Sequence, residues 1–260
     1  MKPDMKSRLT RYASLGGALL LWIMFGFVNA EYKFINPVMI PSPKDVLLAG
    51  WELLDVLPKD IGISLLRAGE GFAIAAILGV LGGCLTGSSR LARDIIDPIL
   101  ELLRPIPPLA FLPIFIIWFG LGELSKVLMI AFSAFFVIYV NTYQGVRYAD
   151  PLLMRAAQSL GASPQRAFFT ISLPSATPEI FTGLRLGMGM SFFVLVAAEL
   201  LAADSGMGFR IQEARQQFRI DRMIFGAVQI GVIGYILFAL LQKLENRLLA
   251  WKPKRETDSY

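Results

Sequence analysis

The chain has 260 residues, 55% of them hydrophobic and only 17% charged, with 25 Lys and Arg against 20 Asp and Glu and a formal net charge of +5. It contains no His and one Cys, Cys84, which excludes His-based triads, His-containing zinc or haem ligand sets, paired-cysteine redox motifs and an intrachain disulfide framework. A soluble domain carries about 25% charge, so apolar residues gathered in long runs point to lipid as the solvent.

In chain order, the basic opening MKPDMKSRLTRY resembles the start of a signal peptide, but the uncharged run Ala13–Ala30 behind it is 18 residues long and lacks a small-residue cleavage pattern. A retained first span is expected. Prolines 37, 41 and 43 then set a rigid turn before a short amphipathic helix from about Lys44, expected to lie at the outer surface. The second span, Gly71–Ser89, starts as early as Ile61 if Arg67 and Glu70 share one helix face, and glycines 79, 82, 83 and 87 permit close helix contact. Cys84 sits within it as a small packing residue. In the third, Pro105–Gly122, four prolines bend the entrance. Val127–Val146 is a fourth, Ile180–Ala203 a fifth that holds Arg185 and Glu199, and Met223–Gln242 a sixth. Runs this long and continuous are helices, not barrel strands, so the expected fold is all-α with six transmembrane helices.

With the N-terminus inside, segments 1–12, 90–104, 147–179 and 243–260 hold 15 Lys and Arg, against eight in the external segments. The excess places both termini in the cytoplasm. Dispersed bases without aromatic interleaving argue against a nucleic-acid partner. Arg185 is expected to snorkel or anchor the preceding loop near the inner end of its span, and Glu199 to meet Arg210 or Arg215 near the outer end. Ser133 and Ser191 read as helix serines bonded back to the main chain. No GxxxxGK[ST] phosphate loop occurs, so any ATP hydrolysis belongs to another subunit.

The internal loop 147–179 is the most informative piece. Pro151–Leu160 reads as a short helix, Gly161 as a break, and Pro164–Ile171 as a second helix entered behind Ser163 and ended by Leu173-Pro174. Leu152, Leu153, Ala156, Leu160, Phe168 and Phe169 give the pair an apolar face suited either to docking a partner or to packing under the bundle. Asn141, Thr142, Tyr143 and Gln144 offer polar groups near the inner end of the fourth span, and no residue is assigned to substrate.

Within this loop RAAQSLGASPQRAFFTISLPSATPEIFTGLRLG, residues 155–187, resembles the EAA loop of the permease subunits of ABC importers. Ala156, Ala157 and Gly161 match its first element, Ile171, Leu173 and Pro174 its second, and Gly183, Leu184 and Arg185 its third, while Arg155 stands where the family has an acid. Residues 101–126, 196–208 and 245–253 are similar to permeases for taurine, aliphatic sulfonates and nitrate. The resemblance implies a type I, MetI-like importer permease, with a core over 61–245 between an N-terminal segment 1–60 and a tail 246–260. It implies ATPase docking through Arg155, Ala156, Ala157, Gly161 and Phe168, with Pro174, Gly183 and Arg185 anchoring the loop. It further implies a second permease copy, two cytoplasmic ATPases that bind the ATP, a periplasmic or lipid-anchored solute-binding protein, a bacterial inner-membrane location, and no enzyme activity, cofactor or metal in this chain. Taurine or an aliphatic sulfonate is the expected cargo. Nitrate, bicarbonate or a thiamine-pathway pyrimidine are the alternatives, as is an ion-coupled secondary transporter built on Glu199 and Arg185.

Overall fold

In the computed structural model of the protein, residues 39–248 are described, together with 16, 17, 20–26, 28, 29 and 32. The basic opening, much of the expected first span and the tail from residue 249 lie outside the described residues; the described positions between 16 and 29 are helical. Below, "outer" denotes the end of the bundle near Glu123 and Glu199, and "inner" the end near Arg147.

Helix α1, Pro43–Glu52, is the expected short helix after the proline turn. Its start is a capping box: Ser42 Oγ accepts from the Asp45 N–H and the Asp45 carboxylate accepts from the Ser42 N–H, with Pro43 in the first turn where no donor is needed. Helix α2, Leu57–Ser88, begins earlier than the uncharged run because Asp60 and Arg67 are both buried in it. Helix α3, Arg90–Leu103, follows a Ser89 cap, and a 3-10 turn, Pro108–Phe111, leads into α4, Leu112–Phe119. Helix α5 is Glu123–Arg147, α6 Pro151–Ser159, α7 Pro164–Ala167, α8 Leu173–Ala202, α9 Met207–Gln216 and α10 Ile220–Leu248.

Among the described residues, four helical runs are long and apolar enough to cross a membrane: α2, α5, the run from Pro164 through α8, and α10. The expected third span, Pro105–Gly122, is not one helix. It is the second limb of a bent pair, Arg90–Leu103 and Pro108–Phe119, meeting at 87°. Pro105, Pro107 and Pro108 cannot donate to a helix ladder and force the preceding residues out of helical geometry, so the chain turns there.

Helix α5 lies between α2 and α8, its two principal neighbours. Ile138 of α5 fills the space above Gly79 of α2 on one side and Gly183 and Gly187 of α8 on the other. A Cβ at Gly83 would stand 2.6 Å from the Thr142 Cβ and 2.8 Å from the Tyr139 carbonyl oxygen. The missing side chains let the helix backbones approach closely, the device expected of apolar helices that gain little from burial in lipid. Three apolar clusters follow α5 from end to end: Ala68, Met129, Ile130 and Leu195 at the outer level, Ala75, Ala134 and Ile138 in the middle, and Val146, Ala176 and Ile180 at the inner level. Cys84 packs, half-buried, beside the last of these.

Helix α3 is tied to α5 by the Tyr139 hydroxyl, which donates to the Asp97 carboxylate. Its Leu91, Ile95, Ile99 and Leu102 remain exposed, as does Trp118 (71%) on α4. These rows recur at the three- and four-residue spacing of one helix face.

The glycine seam predicts an asymmetric response to added volume. Gly83→Val overpacks the α2–α5 contact and is expected to cost about 1–3 kcal/mol, read as a lower unfolding temperature in detergent. Gly62→Ala on the same helix, where a new Cβ meets nothing within 4 Å, is expected to leave that temperature unchanged or raise it.

Candidate functional site: helical elbow and buried charge network

The elbow at the inner end is specified residue by residue. Asp150 Oδ1 accepts from the Leu152 N–H at 2.8 Å and Pro151 takes the first position, which starts α6. At its end Gly161 adopts φ +81°, with Ala162 N–H bonded to Ala157 O and Gly161 N–H to Gln158 O, both at 3.0 Å. This is a Schellman closure, in which a left-handed residue satisfies the last carbonyls. Ser163 then caps α7 by accepting from the Arg166 N–H, and Pro164 again opens the helix.

The second short helix does not end at Leu173-Pro174 as expected. The chain stays helical from Pro164 to Ala202, through a π turn over Phe168–Ser172. Leu173 N–H bonds to Phe168 O, one residue further back than in an α-helix, and the widened turn accommodates the Pro174 ring. Thr170 and Thr177 hydroxyls bond back to Arg166 O and Leu173 O, and Ser172 Oγ donates to Met154 Sδ of α6 at 3.5 Å. The elbow is thus the rigid extension of a membrane-spanning helix, folded back on itself.

Its faces differ from expectation at one ring. Leu152, Leu153, Leu160 (89%) and Phe169 (65%) are exposed, with Arg155, Ala156 and Gly161, while Ala157 is half-buried. Phe168 is turned inward against Val146, Ala176 and Ile180. The two rings stay in edge-to-face contact, with centroids 5.1 Å apart, one turned to the bundle and the other to the outside. Pro174 is exposed in the first turn of α8, and Gly183 is buried against Asn141 and Ile138 of α5. Among the described residues the Arg185 guanidinium bonds not to the preceding loop but to both Glu245 oxygens at 2.6 Å, fastening α8 to the inner end of α10. Asn141 bonds back to Val137 O, and the buried Thr142 hydroxyl has no partner among the described residues. Ser133 bonds back to Ile130 O as expected, whereas the Ser191 hydroxyl is buried without a partner among the described residues.

At the outer end a charge network appears that the sequence reading missed. Arg67, 1% exposed, is not paired with Glu70, which is exposed and makes no ion pair among the described residues. It reaches Glu123 of α5 through Nε and Nη2, Glu199 of α8 at 2.8 Å and Ser205 O at 2.7 Å. Glu199, equally buried, therefore meets Arg67 and not Arg210 or Arg215; it also accepts from Ser64 Oγ at 2.7 Å and the Gly208 N–H at 2.8 Å. Lys126, buried as well, bonds to Glu123 at 3.1 Å.

Glu199, with Asp60 and Ser64 of α2, also caps α9. Its first free N–H groups, those of Gly206, Met207 and Gly208, go to Asp60, Ser64 and Glu199. The positive end of the helix dipole thus rests on carboxylates from α2 and α8. Gly206 has φ +110° and a Cβ there would stand 2.3 Å from Glu199 Oε1, so only glycine fits. Arg210 closes the ring on Asp60 and Glu213; burial alone would pull its pKa down, and the two carboxylates hold it above the ordinary value. Further out, Arg222 and Arg219 hold the exposed Glu52 of α1 below the usual carboxylate range. Phe218, at φ 55° and 81% exposed, ends α9 in a left-handed conformation unusual for an aromatic residue. The local sign of this network was the charges Asp60, Arg67, Lys126 and Glu199 inside otherwise apolar helices.

Removing one member of a buried pair strands the other. Arg67→Met is expected to cost about 3–5 kcal/mol, and Arg67→Met with Glu199→Met together less than the single change. Unfolding in detergent of the two singles and the double variant checks this; additive losses would refute the coupling.

Comparison with known proteins accords with this architecture. The family of binding-protein-dependent transport system inner membrane components matches residues 75–250. The taurine transport system permease protein TauC of Escherichia coli K12 is 38% identical over 251 residues, covering 94% of this chain and 91% of the relative. The putative aliphatic sulfonates transport permease protein SsuC of Bacillus subtilis 168 is 35% identical over 254 residues, covering 95% and 91%. The fold matches a chain of the MetNI methionine ABC transporter in inward-facing conformations, with TM-score 0.65 and 16% identity over 78% of this chain and 99% of that one. The chain therefore belongs to the inner-membrane components of binding-protein-dependent transport systems, the multi-pass permease subunits of ABC importers, which are not themselves enzymes.

Proposed function

We propose that this permease forms the translocation path for a small sulfonate, taurine or an aliphatic sulfonate, across a bacterial inner membrane, with both termini in the cytoplasm. Relatives named for taurine and aliphatic sulfonates at 38% and 35% identity over more than nine-tenths of the chain support that cargo. The observation that carries the mechanism is the elbow. Its apolar residues Leu152, Leu153, Leu160 and Phe169 face solvent around the shallow Ala156, and it continues without interruption into α8.

On this reading, an ATPase subunit receives the elbow in a surface cleft, with Ala156, Ala157 and Gly161 at the contact, Phe169 in the place first given to Phe168, and Phe168 as its inner foot, while Arg155 lies to the side, toward the bundle. Closure of two ATPases around bound ATP then moves α6 and α7, and the helical run through Pro174 transmits that motion to α8. A slack loop would absorb it; a Schellman turn followed by a capped helix does not. Gly183 sets the distance between α8 and α5, and Arg185 carries the motion to α10 through Glu245. A second permease copy covers the exposed faces of α3 and α4, and a solute-binding protein delivers cargo to the outer end.

An ion-coupled carrier would need a carboxylate free to exchange a proton. Glu199 instead has Arg67, Ser64 and the Gly208 N–H around it.

Gly161 tests the elbow. Gly161→Trp is expected to abolish copurification with the companion ATPase, whereas Gly161→Asn, which tolerates positive φ, retains it. Taurine uptake into vesicles loaded with the complex should require ATP and survive a protonophore. Uptake by the purified permease alone, or uptake collapsed by the protonophore and indifferent to ATP, would overturn the proposal.

A further inference from the structure

Behind the elbow, on the side opposite Leu152 and Phe169, a cleft of about 430 Å³ separates α6 and α7 from the inner ends of α2 and α5. That volume lies in the range of small-molecule sites. Its lining includes Arg147 from the last turn of α5, Arg155 from α6, and Gln158 one turn further along, and no acidic residue. Neither guanidinium makes an ion pair or hydrogen bond among the described residues, and the Gln158 amide is also unbonded. Arg166, exposed on α7, is not part of this lining.

Two like charges from separate elements lining one cleft, both open to solvent, make a positive concave surface that attracts an anion. Position 155 decides the sign. With an acid there, as in the EAA consensus, the cleft would hold one charge of each kind; with Arg155 it holds two positive ones. A bases-only excess near a helix end serves topology wherever it sits, but topology does not require two arginines to converge on a concave site.

The geometry points to an oxyanion site in this cleft, where Arg147 and Arg155 clamp a phosphate or sulfonate group and so tie α6 to the inner end of α5. Guanidinium groups suit such a ligand because their planar donors match two oxygens of a tetrahedral anion at once. Gln158 adds a neutral donor. A bound anion would brace the elbow against the bundle, and its loss would free α6 to move relative to α5. The same chemistry is offered by an anionic lipid headgroup at the inner leaflet and by a free cytoplasmic oxyanion; under the proposed function the latter includes the imported sulfonate itself, which would then regulate its own entry.

The test uses the full chain in nanodiscs of phosphatidylcholine or phosphatidylglycerol, with equilibrium binding of radiolabelled sulfate as readout, so it stands apart from any result on transport or ATPase docking. In phosphatidylcholine the wild type is expected to bind sulfate. Arg147→Gln should weaken binding about tenfold or more, and Arg166→Gln should not. Gln158→Glu, an exposed position whose change does not threaten folding, should weaken it likewise by adding an acid to the cleft. Sulfate binding unchanged in phosphatidylglycerol identifies a free anion as the ligand. Binding suppressed there, or phosphatidylglycerol retained on purification by the wild type and lost with Arg147→Gln or Gln158→Glu, identifies the headgroup. If the wild type holds neither sulfate nor phosphatidylglycerol above the level of Gln158→Glu, the site does not exist.

Discussion

The structure depends on the position of α5, held between two helices that give up side chains to receive it. Ile138 can stand between Gly79 and Gly183 only because neither has a Cβ, and the same relation repeats at Gly71, Gly83, Gly87 and Gly187. Close approach along the whole helix fixes its register, and register decides what meets at each end. At the outer end it brings Glu123 and Lys126 to Arg67; at the inner end it sets Val146 beside Ala176 and Arg147 beside the elbow. Small residues on neighbouring helices therefore align charges more than 50 positions apart in the chain.

The outer charge network shows why that alignment has to be accurate. An arginine, a lysine and a carboxylate with little or no access to water, Arg67, Lys126 and Glu199, would be prohibitive one at a time. With the more exposed Glu123 they satisfy one another, and Glu199, Asp60 and the Ser64 hydroxyl take the three backbone N–H groups at the start of α9. The consequence is mechanical: α9 is bonded to α2 and α8 at its first turn and moves with them. The two ends of the permease are thus built alike, each a short helical piece joined stiffly to α8, one through hydrogen bonds to Glu199 and the other through continuous helix. A disturbance at either end has a direct path to the span that links them.

Much of the elbow was legible because its determinants are local. Asp150-Pro151, Gly161 and Ser163-Pro164 state a start, a stop and a second start within 15 residues, and each does what its chemistry dictates. The misreading at Leu173-Pro174 is instructive for the same reason. Proline ends a helix by default, but a π turn one step earlier absorbs it, and whether that turn forms depends on Phe168 finding Val146, Ala176 and Ile180 across the bundle. Of the two rings that the spacing put on one face, Phe168 therefore packs into the bundle and Phe169 stays exposed.

By itself the sequence determined the solvent, the all-α class, the long spans, the proline-bent entrance near 105–108 and the capped elbow, because hydropathy, proline geometry and capping act within one or two turns of helix. Only the tertiary structure decided which charges are partners. Arg67 has Glu70 within a helical turn and ignores it for Glu123 and Glu199, and Arg185 turns to Glu245 across 60 residues. In a medium with almost no water, a charge is stabilised by whatever opposite charge the packing brings within hydrogen-bond distance, and packing here follows where glycine permits two helices to touch.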